Sequence, residues 1–94
     1  MLIKLLKQYN MTIVEFNLKG FHAGDWVRVI KIDGSEETIQ LERGEAYAGT
    51  PERTNYLTKE IIPATPPSIV VQATPETPQG RGIPLEEVED VVSL

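Results

Sequence analysis

The chain has 94 residues, 40% of them hydrophobic, with fourteen acids against nine bases, one histidine and no cysteine. A chain of this length fits one small domain that buries roughly 60–65% of its unfolded surface, which leaves little material for a deep catalytic cleft. The missing cysteines exclude disulfide frameworks, thiolate zinc sites, iron–sulfur ligation and cysteine nucleophiles. The net charge of −5 is unevenly spread. Residues 1–31 carry five bases against two acids, or +3, and residues 32–94 carry four against twelve, or −8. A pI near 4.8 opposes a general affinity for phosphate backbones, which are met by clustered Lys and Arg.

In residues 1–10, Leu2, Leu5, Leu6 and Tyr9 recur at helical spacing with Lys4 and Lys7 outside the stripe, although an edge strand fits as well. Lysines interrupt the apolar stretch and no small-residue cleavage site follows, so a secretory signal is not expected. No run is long enough to span a bilayer. The expectation is a cytoplasmic chain without membrane contact, residues 1–11 being an extension of a single domain at 12–94.

Val14, Phe16 and Leu18 alternate with Glu15, Asn17 and Lys19, a period-two pattern that predicts a half-buried strand. A second strand is predicted at 26–32, rich in β-branched residues and ended by the turn pair Asp33-Gly34. A third follows at 38–42 across a three-to-five-residue hairpin loop. Residues 43–58 are weakly patterned, with Tyr47 and Tyr56 the expected buried anchors, and a strand is expected at 55–62. Proline then excludes helix from two loops, 63–67 and 74–82, around a strand at 68–73. Glycines at 80 and 82 read as turns. At the end, Pro84 opens either a helix or a short 3₁₀ turn over 84–87 followed by a strand at 90–93.

Ala23-Gly24-Asp25-Trp26-Val27-Arg28-Val29-Ile30 and Ile83-Pro84-Leu85-Glu86-Glu87-Val88-Glu89-Asp90-Val91 resemble the opening strand and the closing one-turn helix and strand of SH3-like small β-barrels. Relatives of that architecture include KOW modules, nitrile hydratase β chains, photosystem subunit PsaE and the ferredoxin–thioredoxin reductase variable chain. The resemblance covers about twenty residues and implies a mainly β fold: a barrel of five to six strands with an N-terminal extension and a long Pro/Thr-rich loop, the chain ending in the 3₁₀ turn and strand rather than in a helix. The strand expected before residue 20, the long loop and the lack of a basic stripe depart from the KOW pattern.

Little in the sequence points to catalysis. His22 lies among glycines in a loop and lacks companion zinc ligands. The acids at 36–37 and 86–90 lack the spacing of a calcium loop and read as solvated faces. Neither glycine cluster matches a phosphate-binding fingerprint. No enzyme activity, cofactor or metal is expected. Four Thr-Pro pairs, at 50, 65, 74 and 77, read as loop stiffeners before modification sites.

The favoured function is a non-catalytic protein-binding module, an accessory or regulatory subunit whose partner is another protein or a second copy. Its contact residues are expected to be Trp26, Arg28, Phe21, Tyr47 and Tyr56, with Trp26 and Arg28 outward if Val27 and Val29 point in. The first alternative is a KOW-like nucleic-acid contact through Lys4, Lys7, Lys19, Arg28 and Lys31. The second is a small acidic inhibitor or nucleic-acid mimic that offers its carboxylates to a basic protein surface.

Overall fold

The computed structural model describes residues 10–94. The stripe expected at Leu2, Leu5, Leu6 and Tyr9, with Lys4 and Lys7, lies outside the described residues. The first element is helix α1 (Ile13–Leu18), where the alternation had predicted a strand. Its cause is a capping box. Thr12 Oγ1 accepts from the Glu15 N–H at 3.1 Å and Glu15 Oε1 accepts from the Thr12 N–H at 2.8 Å, so two otherwise unsatisfied amide donors at the helix start are met reciprocally. Wound as a helix, Val14 and Leu18 lie one turn apart on the outer face, while Phe16 is buried.

Strand β1 (Trp26–Lys31) and strand β2 (Glu36–Gln40) form an antiparallel hairpin in which Val27 faces Ile39 and Arg28 faces Thr38. Lys31 donates to the Ser35 carbonyl at 2.8 Å and Gly34 to the Lys31 carbonyl at 2.9 Å, which leaves a three-residue loop. Gly34 adopts φ 93°, the left-handed position that such loops assign to glycine. Beyond β2 come the two-residue strands β3 (Arg53–Thr54) and β4 (Ile61–Ile62), then β5 (Ser68–Val71), β6 (Arg81–Pro84), a 3₁₀ turn (Leu85–Glu87) and β7 (Val88–Ser93).

Two further expectations are corrected, one of a strand and one of a turn. Residues 55–62 are not one strand, because the Asn55 side chain accepts from the amides of Leu57 and Thr58 and bends the chain into a turn between β3 and β4. The turn expected at Gly80 to Gly82 instead runs into β6 from Arg81 onward. Pro84 is tolerated there because β6 pairs only with β5, so its missing amide donor falls on a sheet edge.

The molecule is mainly β, its strands divided among three small sheets in the orders β2-β1-β7, β3-β4 and β5-β6, with no closed barrel among the described residues. The sheets are stitched at Leu41. Its amide and carbonyl bond Asp25 and Gly24 on one side, while Gln72 donates to the Gln40 carbonyl (2.8 Å) and Glu42 to the Val70 carbonyl (3.0 Å) on the other. The 3₁₀ turn returns the chain from β6 to β7, anchored by Leu85 donating to the Pro67 carbonyl and Ile32 to the Glu87 carbonyl, each at 2.9 Å.

Alternation sends one face of every longer strand into a common core: Val27 and Val29, Ile39, Ile69 and Val71, Ile83, Val88 and Val91, joined by Leu41, Leu85, Phe16 and Met11. Met11, from the segment read as an extension, is buried and donates to the Val88 carbonyl at 2.8 Å. Gly44 crosses so close to Phe21 that a Cβ there would lie 1.9 Å from the Phe21 carbonyl oxygen.

Thr12→Ala should lower stability by about 1 kcal/mol through loss of the cap. Gly44→Ala should cost about 1–3 kcal/mol through backbone overlap. For a domain of this size, each kcal/mol reads as a drop of about 4–8 °C in a calorimetric Tm.

Candidate functional site

The outward face of the β2-β1-β7 sheet carries the residues that the inward face cannot. With Val27 and Val29 fully buried, Trp26 and Arg28 project to solvent, and Trp26 remains 55% exposed. Trp26 stands opposite Gln40 on β2, and Arg28 stands between Thr38 on β2 and Val92 on β7. Gln40 Nε2 donates to the Gly24 carbonyl at 3.1 Å, tying the turn before β1 to the far strand. The Asp25 side chain holds that turn, accepting from the His22 amide at 2.9 Å. Trp26 forms part of two shallow concavities. One, of about 220 Å³, runs between β2 and the segment around Thr74 and Thr77; the other, of about 430 Å³, lies against Ser93 and Leu94.

The other aromatic residues do not join this face. Phe21 is packed against Phe16, ring centroids 5.6 Å apart at 51°, and contributes to the core. Tyr47, expected as a buried anchor, is 37% exposed; it exchanges two backbone hydrogen bonds with Ser68 and lines an open groove of about 450 Å³ with Arg43 and Arg81. Tyr56, the other expected anchor, is 86% exposed on the β3–β4 turn, because that turn stands away from the core.

Lys4 and Lys7 of the basic set lie outside the described residues. The remaining three each have a carboxylate beside them: Lys19 Nζ is 2.9 Å from Asp90, Arg28 Nε 3.7 Å from Glu36, and Lys31 Nζ 3.7 Å from Glu37. Arg81 also pairs with Glu37. Solvated pairs of this kind contribute about 0–1 kcal/mol each, so their chief effect is to neutralise the face they occupy. Lys19, Arg28 and Lys31 of the basic set are thereby interleaved with Asp90, Glu36 and Glu37 of the acidic alternative.

His22 is exposed, with Nδ1 3.9 Å from Asp25. Among the described residues no three of His, Asp and Glu gather where they could hold a metal ion. No helix among them is long and apolar enough to cross a membrane. The hydroxyls of the four Thr-Pro threonines bond one another in pairs, Thr50 with Thr65 at 2.7 Å and Thr74 with Thr77 at 3.0 Å. Those contacts brace the proline-rich segments.

No family model matches the chain, and neither a curated protein nor a solved structure matches it significantly.

The Asp33 ionisation is displaced. In the β1–β2 loop, Asp33 Oδ1 accepts from the Ser35 hydroxyl (2.7 Å) and the Ser35 amide (2.9 Å), and these bonds, aided by Lys31, hold its carboxyl below the ordinary 3.8. A carboxyl lowered on folding contributes stability that is complete above the unfolded value and lost as pH falls through the folded one. Ser35→Ala removes the hydroxyl bond. In urea titrations, wild type should therefore be the more stable above pH 3.8, and the gap should narrow as the solution is acidified below that value.

Proposed function

We propose that this chain is a non-catalytic protein-binding module, an accessory or regulatory subunit built on an SH3-like plan. The plan is supported by the order of its parts: the β1–β2 hairpin, the crossing at Leu41 to the β5–β6 pair, and a 3₁₀ turn leading to a last strand that pairs with the first. The observation that carries the functional reading is Trp26, held 55% exposed on a rigid sheet beside Arg28. Trp and Arg are the residue types that most often dominate binding energy at protein interfaces. An aromatic ring presented on a strand is already ordered, so a partner that covers it gains apolar contact without fixing a loop. Thr38, Gln40 and Val92 surround the pair with the mixed polar and apolar rim such contacts use.

The site now comprises Trp26 and Arg28 alone from the five residues expected to make the contact. Phe21 acts through the core, and Tyr47 and Tyr56 belong to other surfaces.

Affinity capture from the native host, with mass measurement of the assembled species, tests the reading. Trp26→Ala should weaken capture by about 2 kcal/mol, roughly thirtyfold, and Arg28→Glu should weaken it further. Both chains should keep the wild-type circular dichroism, since each change lies on the solvent face. Undiminished capture by two folded variants overturns the assignment.

A further inference from the structure

The β3–β4 hairpin is an ordered arm that presents apolar side chains to solvent. Asn55 Oδ1 accepts from the amides of Leu57 (2.9 Å) and Thr58 (3.3 Å), Asn55 donates to the Glu60 carbonyl (2.8 Å), and Lys59 donates to the Asn55 carbonyl (2.7 Å). Lys59 takes φ 65°, a left-handed conformation that a side chain adopts at a cost. Upon this turn Tyr56 is 86% and Leu57 94% exposed, with Ile61 also outward. The β3–β4 pair is continued toward β5 by antiparallel bridges at Thr50–Thr65 and Tyr47–Ser68, so the arm is held from its base while Tyr56 and Leu57 at its tip remain uncovered. A cluster of large apolar side chains held outward in this way marks a contact surface.

The same chain carries an apolar concavity of a size to receive that tip. It measures about 400 Å³, lies between the start of α1 and the 3₁₀ turn, and its lining includes Met11, Ile13, Val14, Pro67, Leu85 and Glu86. The chain's own tip does not enter it, because Tyr56 and Leu57 are exposed. Charge agrees with shape: the groove offers the Glu86 carboxylate, and the tip carries the Lys59 ammonium two residues after Leu57.

We propose that copies of this chain associate head to tail, with Tyr56 and Leu57 of one copy seated in the groove beside Val14 and Leu85 of the next, and Lys59 beside Glu86. A projection and a pocket at different places on one molecule make a contact between unlike surfaces, which propagates into a ring or a filament according to the rotation between copies. The contact uses few side chains, so each is weak alone and assembly depends on concentration. It is independent of the Trp26 and Arg28 face.

Sedimentation of the full-length protein up to about 1 mM tests this, in the range where such weak contacts populate. Wild type should assemble as concentration rises. Leu57→Asp, altering only the tip, and Val14→Asp, altering only the groove, should each remain monomeric with unchanged circular dichroism. Mixed in equal amounts they should form a dimer that grows no further, because one intact tip then meets one intact groove. Tyr56→Ser gives a second test of the tip and should also weaken assembly. Trp26→Ala should assemble as wild type does, which separates this contact from partner capture. The proposal is overturned by a monomeric wild type. It is equally overturned by assembly of either Asp variant alone, by a mixture that stays monomeric, or by loss of assembly in Trp26→Ala.

Discussion

Leu41 is where the molecule is joined. It ends the run that begins in β2, bonds back to Gly24 and Asp25 through its own amide and carbonyl, and is flanked by the two hydrogen bonds that hand the sheet over to β5. Its side chain is fully buried among residues of both sheets. Backbone pairing therefore places the β2-β1-β7 and β5-β6 sheets around one core, and the core in turn makes pairing at that point worthwhile. Without this crossing, Ile39 and Ile69 would have no common interior to share.

Once the core lies on one side of β1, the pleat decides the rest. Val27 and Val29 turn inward and Trp26 and Arg28 outward, since successive strand side chains leave opposite faces. A slip of one residue against β2 would bury an indole and a guanidinium in place of two valines, so the register also sets the exposure of Trp26 and Arg28. The hairpin loop protects that register. Gly34 supplies the left-handed turn, and Asp33, bonded twice by Ser35, fixes the loop length. The 3₁₀ turn at Leu85 performs the corresponding task at the other edge, delivering Val88 and Val91 to the core opposite β1.

Much of this was legible in the chain. The alternation through 26–30 gives both the strand and the outward side of Trp26, and Asp33-Gly34 marks the turn. The residues from Pro84 onward admit either a helix or a 3₁₀ turn and strand, and the resemblance favours the second; the structure has it, although β7 begins at Val88 rather than at residue 90. The failures have local causes. Val14, Phe16 and Leu18 satisfy a strand pattern over five residues, but Thr12 and Glu15 stand at capping-box spacing and decide for a helix, a signal that the sequence reading missed. Tyr56 was expected inside because aromatic residues in a β-prone stretch usually are, whereas Asn55 bends the chain first and lifts the ring clear. Arg81 to Pro84 was obscured by glycine and proline, which an edge strand accepts. The site was half visible: Trp26 and Arg28 by parity. The separation of Phe21, Tyr47 and Tyr56 depends on contacts between distant segments that no local pattern encodes.

The reading of this molecule as a binding module rests on a tryptophan that the fold holds in solvent, and the chain has only one. Acrylamide quenching of its fluorescence in the native, full-length protein measures that exposure directly. The account predicts emission at the long wavelength of a solvated indole and efficient quenching that changes little when urea unfolds the chain. A short-wavelength emission, shielded from acrylamide until unfolding, would contradict it.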